Sequence, residues 1–182
     1  MIYDLPVDIE IEGVKHHIRN NGDYRMTLDV IAALNDNELT QEERLQAALF
    51  IFYEDVYQIS DLNTAALEMM RFINNGEDDE DEEPTPPIMD WQQDFKLMVA
   101  PINHALGCEI RSVPYLHWWT FLSGYMEIGE GTFQTVISIR SKKRKGQKLE
   151  KWESDFYREN KKMIDLPLRL TDEEQEFLDS DW

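Results

Sequence analysis

The sequence predicts a mainly α fold, a helical domain with a small N-terminal β-hairpin. Three features point that way. Apolar residues recur three and four positions apart through most of the 182 residues, the spacing of one buried helix face. Helix-start and helix-stop residues bracket these stretches: Thr40-Gln-Glu-Glu43 and Thr171-Asp-Glu-Glu174 are capping boxes, and Asn75-Gly76 is a stop. Strict alternation appears only near the start, where Val7, Ile9 and Ile11 interleave with Asp8, Glu10 and Glu12 before Gly13, the pattern of a strand running into a turn.

The elements follow in chain order. PVDIEIEGVKHHIRN reads as the hairpin. DYRMTLDVIAALND places Met26, Val30, Ala33 and Leu34 near one helix face. After the Thr40 box, RLQAALFIFYEDVY carries a stripe of Leu45, Ala48, Leu49, Phe52 and Val56, and DLNTAALEMMRFINNG one of Leu62, Ala66, Met69, Met70 and Ile73. Residues 77–87, EDDEDEEPTPP, read as a linker, because seven consecutive acids repel one another and three prolines forbid a continuing helix. Beyond it, IMDWQQDFKLMVAPINHALGCEI spaces Trp91, Phe95, Met98, Ile102 and Leu106 as a helix that Pro101 is expected to kink or split. VPYLHWWTFLSGYMEIG and EGTFQTVISIRSKKRKG come next, and Phe133, Val136, Ile137 and Arg140 fall on one side of the second. Gly146 breaks the pattern before KLEKWESDFYRENKKMI, and the tail closes with a short helix after Thr171. The organisation is therefore hairpin plus helices over 1–76, an acidic Pro-rich linker over 77–87, and a helical region over 88–182 that can form one compact domain with 1–76.

Composition narrows the function classes. Hydrophobic content of 42% and aromatic content of 11% are those of a globular chain, long enough to hide roughly 70% of its extended surface. One cysteine, Cys108, excludes an intrachain disulfide and a four-thiolate metal site. No apolar run approaches the ~20 residues of a membrane span, and acids stand where a signal peptide would carry Lys or Arg; the expectation is a soluble cytoplasmic protein. The net charge is −19, unevenly spread: residues 140–162 hold ten bases and four acids, which leaves −25 for the rest. A body that negative repels nucleic acid and membrane surfaces at long range.

No catalytic or metal-binding constellation emerges. His104 and Cys108 are four apart on an expected helix, but a closed zinc site takes about four ligands and no second His/Cys pair has ligand spacing. His16 and His17 would point to opposite faces of a strand. Gly129-Glu-Gly131 lacks the Gly-Lys-Ser/Thr ending of a phosphate loop and reads as a helix–helix turn. With no serine elbow, His-Glu-x-x-His motif or convincing carboxylate pair, the sequence reads as non-enzymatic, without cofactor or metal.

Two features remain. Trp118, Trp119, Phe121, Leu122 and Tyr125 form the densest aromatic cluster; its spacing is that of a packed face, yet adjacent tryptophans on a helix diverge by ~100°, so one of the two can line a contact surface. The basic arm, SKKRKGQK over 141–148, is the type of run that binds phosphate backbones. Against that, Trp152, Phe156 and Tyr157 follow helical spacing, and acids at 150, 153, 155 and 159 interleave with the bases, as on a solvated or protein-facing helix.

Residues 118–166 carry a resemblance. Trp118-Trp119-Thr-Phe121, Phe133 with Ile139-Arg140, Lys145-Gly146-Gln-Lys148-Leu149 and Phe156-Tyr157-Arg-Glu-Asn-Lys161 are similar to the bacteriophage gene-product-fifteen family of tailed phages and prophages of Gram-positive bacteria. The resemblance implies a tail assembly chaperone that binds the tape measure protein, keeps its long helices soluble and helps tail tube protein assemble around it, in the host cytoplasm and absent from the mature virion. Client-coating proteins of this kind often multimerise. On that reading a groove between the helices expected at 114–126 and 130–145 takes a client helix, with Trp118, Trp119 and Tyr125 as aromatic contacts and Arg140, Lys142, Lys143, Arg144 and Lys145 as a charged rim. A structural tail or connector component and a nucleic-acid-binding phage regulator that uses the 140–162 arm stay open as alternatives.

Overall fold

Glu12 and Gly13 both take positive φ, 51° and 80°, the backbone of a two-residue primed turn whose twist matches a hairpin. In the computed structural model, which describes residues 4–78 and 87–167, this turn joins β1 (Asp8–Ile11) to an antiparallel β2 (Val14–His17) with Ile9 opposite His16 and Ile11 opposite Val14. Ile9 and Ile11 are buried while Asp8 and Glu10 face solvent, which is the expected alternation. The fold is mainly α with this hairpin at its start. The described chain divides into two compact units.

The first unit comprises residues 4–78 together with Pro114–Leu122. The sequence reading placed the latter segment in the C-terminal region. Helix α1 (Tyr24–Leu34) starts at Asp23, whose carboxylate accepts from the Arg25 N–H. Helix α2 (Gln41–Phe52) starts at the predicted box, with Thr40 and Glu43 each holding the other's backbone N–H. Helix α3 (Leu62–Ile73) starts at Asp61, and Asn75 and Gly76 end it at φ 61° and 86°, with the Gly76 N–H donating to the Arg71 carbonyl at 2.8 Å.

Two details depart from the periodicity. The α2 pattern continues past Phe52, but the helix does not. Tyr53 bridges to Ile18, the Glu54 N–H donates to the His17 carbonyl, and the Arg19 guanidinium donates to the carbonyls of Phe50, Ile51 and Tyr53. The end of the hairpin thus captures the backbone that would have made the next turn. In α3 the buried face is Ala65, Met69 and Phe72, and Leu62 is exposed.

Residues 114–122 complete this core. Trp118 is 1% exposed and its indole N–H donates to the Ile73 carbonyl at 2.9 Å. Its ring stacks on Phe121 at 5.5 Å, and Phe121 stacks on Tyr24 at 4.7 Å. His117 ties two backbone strands together: its Nδ1 accepts the Trp119 N–H at 3.1 Å, so Nε2 carries the proton and donates to the Pro6 carbonyl at 3.0 Å. Burial pushes the His117 pKa down, against smaller opposing effects of Pro6 and Asp23. A folded pKa below the unfolded value means that the contribution of neutral His117 is present above about pH 6.5 and is lost as pH falls below it. His17, hydrogen-bonded to Asp8, is shifted the opposite way. We therefore expect the difference in urea stability between the parent and His117→Gln to shrink between neutral and mildly acidic pH, since His17 is common to both; a constant difference would show that burial does not shift the His117 pKa on folding.

The second unit comprises residues 87–113 and 123–167. Helix α4 (Trp91–Leu106) starts at Asp90 and ends at Gly107, φ 68°. It runs through Pro101 as one element, so the proline removes one hydrogen bond without splitting the helix. The chain reaches α6 (Thr132–Arg144) through the end of α5 (Trp118–Met126) and the Gly129–Gly131 turn. Beyond Gly146, where Trp152, Phe156 and Tyr157 have helical spacing, two helices form, α7 (Lys151–Glu159) and α8 (Lys161–Ile164), separated at Asn160. Val136, Ile139 and Ile164 form a buried cluster against which Leu97, Leu149, Phe156, Tyr157 and Met163 pack. Ile139 takes the interior place the periodicity assigned to Ile137. Most of the 77–87 linker, and the capping box and short helix expected from Thr171 on, lie outside the described residues.

Candidate interaction surfaces

The predicted contact residues distribute between the two units, and two of them are interior. Trp118 belongs to the first unit's core, as described. Arg140 lies in the second unit at 6% exposure, because α6 turns it onto the same face as Phe133, Val136 and Ile139. There it meets Asp94 of α4, fully buried, in a two-pronged pair: Nη2 to Oδ1 at 2.9 Å and Nη1 to Oδ2 at 2.5 Å. Its remaining N–H groups donate to the carbonyls of Ile88, Met163 and Ile164. All that guanidinium offers is spent inside, so Arg140 is no part of a charged rim. It clamps the start of α4 and the end of α8 to α6.

The other candidates are more accessible. Trp119 is half-buried and its indole N–H donates to the Phe72 carbonyl at 2.9 Å, with the ring against Gly76. Tyr125, in the second unit, is half-buried between Trp91 and Phe133 and donates its hydroxyl to the Met89 sulfur at 3.2 Å; burial pushes its phenol pKa up. Lys142 reaches Glu153 at 2.6 Å, a hydrogen bond that holds the Glu153 carboxyl below its usual range. Lys143 reaches Asp165 at 2.7 Å and lies 3.8 Å above the Tyr157 ring. Partial burial opposes the Lys143 charge, but the bonds to Asp165 and Tyr157 outweigh it and raise its pKa. Arg144 and Lys145 are exposed at the end of α6.

Sequence reading missed Asp94, Glu153 and Asp165 as the partners of this arm. One signal was available: Arg140 stands within an apolar stripe, and a charge at such a position calls for a buried counter-ion. It also missed the exposed apolar side chains. Phe50 and Tyr57 meet edge to face at 6.1 Å with Tyr57 at 89% exposure, and Leu67, Met126 and Trp152 also face solvent. Among the described residues no cluster of His, Cys, Asp or Glu could hold a metal ion, and no helix is long and apolar enough to cross a membrane.

These features define a class: an acidic, mainly helical protein whose accessible chemistry is aromatic contact and paired charge. Residues 1–166 match the family described as Bacteriophage Gp15 protein. The chain belongs to that family, which makes it a phage structural or assembly-related protein. Neither a curated protein nor a solved structure matches it.

Proposed function

We propose that this protein is a tail assembly chaperone: it binds helical segments of the tape measure protein, keeps them soluble in the host cytoplasm while tail tube protein assembles, and leaves before the virion is complete. The observation that carries the reading is the set of large apolar side chains, Phe50, Tyr57, Leu67, Met126 and Trp152, standing in solvent on a chain of net charge −19. Apolar side chains accept the apolar face of a client helix. The surrounding charge keeps both partners in solution and disfavours unspecific association. Family membership over residues 1–166 supports the setting.

Co-expression with the tape measure protein tests it. The client should move from the insoluble to the soluble fraction and co-purify, and Phe50→Ser with Tyr57→Ser should reduce its recovery severalfold without loss of helical circular dichroism. A client that stays insoluble beside abundant soluble chaperone would end the proposal. Finding the protein in purified virions at fixed stoichiometry would instead favour a structural tail component.

A further inference from the structure

With Arg140, Lys142 and Lys143 taken up by Asp94, Glu153 and Asp165, part of the arm's exposed charge lies at the connection between α6 and α7. Lys145, Lys148 and Lys151 are exposed there, with no ion pair among the described residues. The connection borders an open hollow of about 600 Å³ lined by Lys148, Leu149, Glu150, Lys151, Ser154 and Asp155. Leu149 gives it an apolar side that packs against the Val136–Ile139–Ile164 cluster. Trp152 is 55% exposed, and its indole N–H is held by the Glu150 carboxylate at 2.8 Å. Glu150 is itself fixed, because its backbone N–H donates to Glu153 at 2.8 Å in a capping box.

We propose that this hollow, with Lys148 and Lys151 in its lining and Trp152 next to it in the chain, outside the lining, binds an acidic segment of a partner protein, one carrying Asp or Glu beside a large apolar side chain. This goes beyond the chaperone reading and does not depend on it. Lysines without internal counter-ions favour carboxylates, and a Trp held in place by its own hydrogen bond loses little freedom on contact. The same lining argues for a peptide over a polynucleotide. Glu150 and Asp155 would oppose a continuous row of phosphates, whereas a peptide can set separate carboxylates at Lys148 and Lys151 and turn backbone N–H groups to the two acids. Repulsion from the acidic body is screened beyond ~8 Å at physiological salt, which permits a short acidic segment better than a long polyanion.

Fluorescence anisotropy on the full chain decides the matter, with a labelled Glu/Leu peptide containing one Phe as probe. Saturable binding that weakens with salt is expected, and a matched Lys/Leu peptide should not compete. Lys148→Glu with Lys151→Glu should weaken binding by about tenfold or more, and Trp152→Ala by a similar factor, whereas Lys96→Glu, on α4, should leave it unchanged. If the double reversal disturbs circular dichroism, Lys148→Gln with Lys151→Gln replaces it and should weaken binding severalfold. No saturable binding, equal loss with Lys96→Glu, indifference to both lysine pairs, or displacement by single-stranded DNA more readily than by unlabelled peptide would each overturn the proposal.

Discussion

Arg140→Met should lower the free energy of unfolding by about 3–5 kcal/mol, the cost of removing one partner from a buried ion pair, and should be read as a lower urea midpoint. Asp94 is wholly buried. Without the guanidinium it keeps an uncompensated carboxylate, and the carbonyls of Ile88, Met163 and Ile164 lose a donor. The double replacement Asp94→Leu with Arg140→Met should be clearly less harmful than the single one, because the stranded charge goes with its partner. Lys143→Met sets the scale for an exposed pair: its bond to Asp165 lies at 37% exposure on both sides, where such pairs contribute ~1 kcal/mol or less. An Arg140→Met protein as stable as the parent would mean that the pair does not hold the start of α4 and the end of α8 to α6.

Trp118→Ala is the second large effect, again about 3–5 kcal/mol, as for truncation of a buried large aromatic. The indole is stacked on Phe121, which is stacked on Tyr24, and its N–H satisfies the Ile73 carbonyl. Trp118→Phe keeps much of the ring but leaves that carbonyl without its donor, so about 1–3 kcal/mol is expected. Trp119→Ala should cost less than Trp118→Ala, since Trp119 is only half-buried. The reverse order in chemical denaturation would exchange the roles of the two tryptophans. A Trp118→Ala protein of parental stability that no longer solubilises its client would return Trp118 to the contact surface.

How much was legible beforehand depended on the range of the interaction involved. The hairpin was readable because alternation and the Glu12-Gly13 turn lie within a few residues. The starts of α2 and the end of α3 were readable for the same reason, since Thr40 bonds to Glu43 and Gly76 closes on Arg71. The end of α2 was not, because Arg19 and the His17 carbonyl that take its backbone come from more than thirty residues upstream. Buried faces were right in part. Helices with apolar residues on more than one side leave a choice, and the neighbour makes it: Ala65, Met69 and Phe72 turn inward in α3, and Ile139 rather than Ile137 in α6.

The same division separates the charged arm from its use. The sequence alone determined the mainly helical fold with its hairpin, the kinship with the phage family and the collection of bases at 140–162, because each rests on local spacing or composition. Only the tertiary structure decided that Trp118 and Arg140 are interior, that Lys142 and Lys143 are answered by Glu153 and Asp165, and that Lys145, Lys148 and Lys151 stand exposed around the α6–α7 connection. The cause is that burial and pairing depend on which groups meet in space. Asp94 comes to Arg140 from 46 positions away, and no periodicity along the chain records that approach.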